Sequence, residues 1–249
     1  MLTVSSLDLE KVQLILKLEH VTNDDELENV PRVPMPSQPE ASSKVDSEIS
    51  PSEGEICRTF TFTLLSLARD IFLSRLPDAV QSLSIKTEKT WRYSPVSWYT
   101  KKHNLIGKPD FGIWYGDRKN FSLSAVVVEA KSGEVQLSLA NTLAYMAFVQ
   151  KRRQNLKKKD CAVYGLVADD QVFWFLKISH DSKWSERVVI ARHQNYDKVL
   201  GMLVYFFQKA AAMSPHSKES EQIQVQDGSV QEECDIVEIQ DSWDMCSID

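Results

Sequence analysis

Cysteine and histidine are scarce in this chain, and neither forms a pattern typical of metal binding. The four cysteines, Cys57, Cys161, Cys234 and Cys246, are scattered without a CxxC pair, so we expect free thiols rather than disulfides or zinc ligands. The five histidines form no HxxxH or HExxH pattern, which leaves a zinc hydrolase without support. No GxSxG or GxxxxGK[ST] segment occurs, and serine-hydrolase and P-loop chemistry have no support either.

Long apolar runs are missing as well. No run reaches the roughly 20 residues that a membrane-spanning helix needs. The segment "MLTVSSLDLEKV" has neither the basic start nor the apolar centre of a signal peptide. These absences predict an intracellular protein with no membrane partner.

Charge of one sign is unevenly distributed along the chain. The net charge is -6, yet residues 55–213 are rich in Lys and Arg, while residues 1–54 and 214–249 are acidic. A basic body is the electrostatic footprint expected of a phosphate or nucleic-acid binder. Exposed Lys and Arg that only aid solubility would give the same charge, so this alternative stays open.

The composition divides the chain into three parts. Residues 1–54 predict a short helix at 7–18 followed by a flexible linker rich in Pro and Ser. Residues 214–249 predict an acidic, disordered tail. Between them, residues 55–213 predict one domain with helices at 55–76, 135–159 and 195–212 and strands between these helices. The predicted order α-β-β-β-α-β-β-β-α implies an α/β (α+β mixed) fold with a mixed central sheet and flanking helices.

One predicted strand ends in charged residues. The apolar run "SAVVV" leads into Glu129, Ala130 and Lys131, although burying a carboxylate or an ammonium is costly. Side chains alternate along a strand, so Glu129 and Lys131 share one face and lie about 7 Å apart. The preceding strand, "DFGIWYG", begins at Asp110. An antiparallel hairpin brings Asp110 within reach of Glu129 if the turn adds one residue.

Two carboxylates at one sheet edge suit Mg²⁺, which keeps several waters and binds phosphate oxygens together with protein carboxylates. Mn²⁺ accepts the same oxygen ligands. A bound metal activates water and neutralises charge on a phosphate, and Lys131 is placed to assist that water. The charged strand end therefore predicts a metal site at Asp110 and Glu129.

The segments "PD" at 109–110 and "EAK" at 129–131 resemble the PD-(D/E)XK nuclease superfamily, whose restriction-endonuclease-like core is an α-β-β-β-α-β unit. The succession "PDF", "VVVEAKS", "QLSLANTLAYMA" and "VYGLVAD" is especially similar to small fungal members. The resemblance covers residues 55–213. It implies catalytic roles for Asp110, Glu129, Lys131 and Gln136, the last from the helix that follows the motif.

The family often adds an acidic metal ligand from the helix upstream. Glu55 is our candidate, with Glu53 and Glu88 as rivals. A solvated carboxylate favoured by the helix dipole explains Glu55 equally well, and Glu88 on an edge strand also fits a solvent-facing role.

The stretch "KRRQNLKKK" forms a basic patch. Its candidate nucleic-acid contacts are Lys151, Arg152, Arg153, Lys157 and Lys158. The patch also resembles a nuclear-import signal, which predicts the nucleus rather than the cytoplasm. The alternative is a solvated helix end whose cations complement the dipole.

Two further segments can each be interpreted in more than one way. Trp91, Tyr93, Trp98 and Tyr99 precede "KKH" in a predicted loop and serve either as core or as a base-stacking surface. Residues 232–241, "EECDIVEIQD", resemble a SUMO-interacting motif that adds a strand to a partner's sheet edge. The acidic tail could also fold over the basic face as a mimic of nucleic acid.

The resemblance implies an Mg²⁺-dependent nuclease that hydrolyses phosphodiester bonds, in DNA rather than RNA. The first alternative is a catalytically inactive nuclease-fold module that binds nucleic acid or a protein. The second is an adaptor that works through its acidic arms.

Overall fold

The architecture comes from a computed structural model, which describes residues 2–22, 24–36, 52–76, 83–87, 90–98, 101–115, 124–130, 135–169, 171–191, 195–213 and 235–239. Within these ranges the α-helices are α1 (Leu9–Leu16), α2 (Asp25–Glu28), α3 (Glu53–Arg75), α4 (Val135–Asn155) and α5 (Tyr196–Ala212). The strands are β1 (Leu2–Thr3), β2 (Glu19–His20), β3 (Leu83–Thr87), β4 (Thr90–Trp98), β5 (Lys101–Gly107), β6 (Phe111–Tyr115), β7 (Ser124–Ala130), β8 (Val163–Ala168), β9 (Val172–Ile178), β10 (Lys183–Ile190) and β11 (Asp235–Ile239).

Seven strands form the main sheet in the order β2-β10-β9-β8-β7-β6-β3. The pairs β7/β8 and β10/β2 are parallel, and the other neighbours are antiparallel. Helix α4 provides the crossover that the parallel pair β7/β8 requires. The prediction of a mixed sheet with packed helices is therefore confirmed.

Both faces of the main sheet are covered. Alternate residues of β7 and β8, among them Val128 and Leu166, point into a core that α3 and α5 complete with Phe72 and Phe206. On the opposite face, Val167 packs in a second core formed by α4, α1 and the smaller sheet. Because β7 and β8 are buried on both sides, their sequences are almost continuously apolar, as expected for central parallel strands.

Helix α3 begins with a capping box. The Ser52 hydroxyl accepts the backbone N–H of Glu55, and the Glu55 carboxylate accepts the backbone N–H of Ser52. This reciprocal arrangement satisfies two amide donors that an uncapped helix leaves without partners. The predicted helix at 55–76 is thus present, and its cap lies a few residues earlier than predicted.

A hairpin occupies the region that the sequence predicts as a loop. Strands β4 and β5 pair antiparallel and form a second sheet in the order β1-β5-β4-β11. The predicted strand at 82–93 is therefore two strands in different sheets, because β3 pairs with β6 instead. Trp91 and Tyr93 are buried in the core of the α4 face, which confirms the packing interpretation for this pair. Tyr99 lies outside the described residues.

The N-terminal segment 2–36 is built into the domain. Strand β1 pairs with β5, and β2 pairs with β10 at the edge of the main sheet. Leu16 of α1 and Leu27 of α2 are buried in the two cores. The boundary predicted at residue 55 does not separate this segment from the domain, because most of its large apolar residues are buried against the rest of the chain. The linker residues 37–51 lie outside the described residues.

Of the predicted tail, the structure describes only β11. It pairs antiparallel with β4, from Asp235 opposite Ser94 to Ile239 opposite Thr90. This part of the tail is a strand rather than disordered, and the edge that it extends belongs to its own chain. None of the helices within the described ranges has both the length and the hydropathy that crossing a membrane requires.

Candidate active site

Asp110 and Glu129 lie opposite each other where two antiparallel strands of the main sheet end. Phe111 pairs with Val128, and the register shifts by one residue between Ile113 and Trp114. This bulge adds the residue that aligns Asp110 with Glu129. Directly opposed residues have Cβ atoms about 4.5–5.5 Å apart. Both residues are buried, at 4% and 1% exposed, and the charges of both raise the pKa of Tyr145. Their joint role at one site stays a prediction.

The Asp110 carboxylate is held by two neighbours. Its Oδ2 accepts the backbone N–H of Ala130 at 2.9 Å. Its Oδ1 lies 3.0 Å from Nε of Arg58, which reaches across from α3. The Ala130 contact ties the start of β6 to the end of β7, and the Arg58 contact places a cation directly on a predicted metal ligand.

A cavity of about 330 Å³ opens beside Asp110. Arg58, Thr59 and Phe62 of α3 form one wall, and Asp110 and Phe111 form the other. The Arg58 side chain is 43% exposed, so it remains in contact with solvent while it pairs with Asp110. Asp110 is therefore a buried acid on the wall of a cavity that opens to solvent.

Tyr145 of α4 is part of this site. Its hydroxyl accepts the backbone N–H of Lys108 at 3.0 Å. Burial raises the pKa of Tyr145, and the negative charges of Glu129 and Asp110 raise it further. A Cβ atom at Gly107 would overlap the Tyr145 ring, so the glycine allows the close approach of β5 and α4. The contact between Tyr145 and Lys108 was not predicted from the sequence.

The remaining predicted site residues lie in different places. Lys131 and Glu88 are outside the described residues. Gln136 is exposed in the first turn of α4, and its role stays a prediction. The carboxylate of Glu55 is engaged in the capping box with Ser52, as the helix-start alternative predicts. Glu53 is exposed in the same first turn.

Only part of the predicted basic patch is available at the surface. Arg153 is fully buried, and its guanidinium donates to the carbonyl of Ala162 and to the hydroxyl of Tyr115. The prediction that Arg153 contacts nucleic acid is wrong, because the side chain instead joins α4, β6 and the start of β8. A long cation at a helix end is often solvated, and no local pattern in the sequence distinguishes this one.

The other four cations of the patch differ among themselves. Lys151 is half-buried and donates to the Ser182 hydroxyl at 3.2 Å. Burial and the charge of Arg153 lower the pKa of Lys158 to about 8. Arg152 is half-buried and Lys157 is exposed. The end of α4 is therefore a weaker phosphate-binding surface than its sequence indicates.

A second charged cluster, not predicted from the sequence, fastens α2 to the main sheet. We call it the Glu26 cluster; its members are Asp24, Glu26, Tyr164, Lys177, Ser185, Tyr205 and Lys209. Glu26 accepts hydrogen bonds from Tyr164 and Tyr205 and pairs with Lys177 and Lys209. Asp24 accepts the Ser185 hydroxyl at 2.7 Å and pairs with Lys177 at 3.0 Å. Its members come from distant parts of the chain, so no spacing in the sequence indicates it.

Comparison with known proteins identifies no relative. No family model matches the chain, and no curated protein matches it. Within the residues that the structure describes, no group of three or more His, Cys, Asp or Glu side chains is arranged to hold a metal ion. The groups with the clearest chemical potential are therefore Asp110, Glu129 and their immediate neighbours.

Proposed function

We propose that the chain is a metal-dependent phosphodiesterase that acts on nucleic acid, DNA rather than RNA. The observation that carries the proposal is the opposition of Asp110 and Glu129 at the ends of β6 and β7, followed two residues later by Lys131. Carboxylates that are buried in a sheet need a partner that offsets their desolvation. A divalent cation shared with a substrate phosphate is such a partner.

The order of elements supports a restriction-endonuclease-like core. With the β4–β5 hairpin left out, the chain from α3 runs α3-β3-β6-β7-α4-β8. This is the α-β-β-β-α-β order of that fold, and the two acids stand at the strand ends where the family's motif lies. The hairpin is then an insertion between the first two strands of the core.

The two acids fit the protein's share of an Mg²⁺ site. Mg²⁺ usually takes one or two carboxylates and keeps several waters that substrate phosphates share or replace. Bound there, Mg²⁺ or Mn²⁺ supplies Lewis acidity and a water of lowered pKa. Asp110 and Glu129 would hold the cation, and the Ala130 amide keeps Asp110 oriented.

Three further side chains complete the proposed mechanism. Lys131 orients the attacking water or stabilises charge on the phosphate, because an ammonium beside a developing anion lowers its energy. Gln136 helps to orient the same water. Tyr145 stays neutral, since burial and both acids raise its pKa. Its hydroxyl proton therefore remains available as a donor beside the carboxylates.

A non-catalytic module is the second candidate, and one observation favours it. The Arg58 guanidinium lies 3.0 Å from Oδ1 of Asp110, and a cation in that position competes with a metal ion for the same oxygen. In this alternative the ion pair is permanent, and the fold binds nucleic acid or a protein without cleaving it. Residues 232–241 are then the proposed contact for a protein partner.

Plasmid cleavage and calorimetry distinguish these candidates. Supercoiled plasmid incubated with the full chain and Mg²⁺ or Mn²⁺ should be nicked, and Asp110→Asn or Glu129→Gln should lower the rate at least about 10²-fold. Asp70→Asn is the matched control, because Asp70 is an exposed acid of α3. Titration calorimetry should detect metal uptake that both site variants abolish.

Metal uptake that persists in both site variants would falsify the assigned ligands. Metal uptake without cleavage, or no uptake at all, favours the non-catalytic module. Equal cleavage rates in the wild type and Lys131→Ala would remove Lys131 from the mechanism while leaving the two acids in place.

A further inference from the structure

A groove of about 500 Å³ lies between the N-terminal segment and the tip of the β4–β5 hairpin. Trp98, Lys101 and His103 form its hairpin wall, and Leu2, Leu7 and Lys11 line the opposite wall. The groove exists only because β1 pairs alongside β5 and brings the N-terminal residues next to the hairpin. It is separate from the cavity beside Asp110.

The lining of this groove combines an aromatic ring with cations. Lys101 is exposed and His103 is half-buried, while the leucines of the opposite wall are apolar. Lys11 shares its charge with Asp8, to which it is hydrogen-bonded. A flat apolar group flanked by negative charge is complementary to such a lining. An unpaired nucleotide has this chemistry, because every base has a π-face and carries a phosphate.

The groove lies at one end of β5, which runs from Lys101 to Gly107. Side chains alternate along a strand, so Lys101 and His103 share the groove face while Lys102 lies on the other. Farther along the groove face, Leu105 is fully buried and Gly107 packs against the Tyr145 ring. The open surface therefore ends at the groove, which is a binding site of its own rather than an extension of the cavity beside Asp110.

We propose that the groove is a binding track for single-stranded nucleic acid. One base stacks in the groove on Trp98, and the adjoining phosphates contact Lys101 and His103. Binding in the groove does not depend on the proposed function. This track takes over the role that the sequence assigned to the end of α4, where Arg153 is buried.

Fluorescence anisotropy with a labelled 12-nucleotide oligothymidine tests the track. The full chain carries Glu129→Gln and the buffer contains no divalent metal, so that binding is measured without cleavage. Trp98→Ala should weaken binding about tenfold or more. Trp98→Phe keeps a ring for packing and stacking and should recover most of the affinity. A 12-base-pair duplex should bind more weakly than the single strand and should not respond to Trp98→Ala.

Salt dependence tests the cations. Replacing both Lys101 and His103 with Gln should lower the slope of log affinity against log salt by about 0.7 or more, since each phosphate contact on a single strand contributes about 0.7. The matched control replaces Lys157 and Lys159 with Gln, because both are exposed at the end of α4. The control should change the affinity less than twofold.

Three results would overturn the track. The first is an equal loss of affinity in the control pair, which would mean that bulk charge alone binds the strand. The second is unchanged binding in Trp98→Ala, and the third is equal, Trp98-independent binding of the duplex. Absence of plasmid cleavage in the wild type leaves the track intact, because this assay contains no metal.

Discussion

The main sheet carries two clusters of paired acids and cations, and they differ in the partners of the acids and in the space beside them. In the Glu26 cluster, both oxygens of Glu26 have side-chain donors, supplied by Tyr164, Tyr205, Lys209 and Lys177. At the candidate site, Asp110 pairs with Arg58 and accepts the Ala130 amide, and it lies on the wall of a cavity of about 330 Å³. Exposure of the acid itself is not the difference, because the Glu26 side chain is 28% exposed and the Asp110 side chain only 6%.

This difference separates a structural role from a chemical one. Buried charges whose partners all belong to the chain hold elements together, and removing one partner leaves the others buried and uncompensated. Acids beside an open cavity can exchange a partner for a metal or a phosphate. The comparison therefore predicts that changes in the Glu26 cluster reduce stability, whereas changes at Asp110 and Glu129 reduce metal binding and cleavage.

The largest effect on stability is expected for Glu26→Ala. This change removes the acceptor of two tyrosine hydroxyls and the partner of Lys177, a side chain only 14% exposed. We expect the free energy of unfolding to fall by about 3 kcal/mol, measured by urea denaturation. Asp25→Ala on the same helix should cost less than about 1 kcal/mol, since Asp25 is exposed. A similar loss in both variants would contradict the comparison.

Low pH should reduce the stability that the Glu26 cluster contributes. Burial alone would raise the pKa of Glu26, but hydrogen bonds from Lys177, Lys209 and the two tyrosines outweigh it and lower the pKa to about 2. The unfolded chain has a glutamate pKa of about 4.3. The folded pKa is the lower one, so this stabilisation is complete above about pH 5 and is lost as the pH falls toward 2.

Urea midpoints of the wild type and Glu26→Gln at pH 7 and pH 3 measure this loss. The stability difference between the two proteins should shrink at pH 3. A difference that stays constant over this range would show that the charge of Glu26 is not what the cluster uses.

Gly107→Ala should disturb the candidate site through packing. A Cβ atom there would overlap the Tyr145 ring and hydroxyl, so Tyr145 must shift and its contact with the Lys108 amide is lost. We expect the free energy of unfolding to fall by about 1–3 kcal/mol, as measured by thermal unfolding. Metal uptake, measured by calorimetry, should also be weaker. Gly54→Ala is the control, because a Cβ atom there meets nothing within 4 Å. Full activity and stability in Gly107→Ala would show that Tyr145 is not held in place by this contact.

The smallest effect is expected for Glu55→Gln, which tests the third predicted acid. The Glu55 carboxylate accepts the Ser52 amide in the capping box, so its loss should lower the stability only slightly, through one side of the cap. Metal affinity measured by calorimetry should stay within twofold of the wild type. A tenfold loss of metal affinity with little change in stability would return Glu55 to the set of ligands.

The convergence of Asp110 and Glu129 could be predicted from the sequence because it follows from local patterns. Alternation along an apolar strand places Glu129 at the strand end, and hairpin symmetry brings Asp110 opposite. The bulge at Ile113 and Trp114 completed the alignment, and no motif marks its position. Arg58 and Tyr145 were missed as site residues because each belongs to a helix whose spacing explains it equally well as core or surface.

The strands of the N-terminal segment and of the β4–β5 hairpin were not predicted from the sequence, for a different reason. Strands β1 and β2 have two residues each, which is too short for any periodic signal. The hairpin β4–β5 contains Pro95, a residue that argues against a strand in a single sequence. The conformation of β1 and β2 is decided by pairing with β5 and β10, which are distant in the chain. The conformation of the hairpin is decided by pairing between β4 and β5, whose register shifts between Tyr93 and Val96.

By itself the sequence determined the helices α3, α4 and α5, the strands from β6 to β10, the mixed sheet and the placement of Asp110 and Glu129 at the ends of neighbouring strands. Each of these follows from periodicity within about 20 neighbouring residues. The tertiary structure alone decided that Arg153 is buried, that Arg58 pairs with Asp110, and that the N-terminal segment forms one wall of a groove. Such outcomes depend on which surfaces become neighbours in space, and a side chain's burial and charge partners are set only when those surfaces pack.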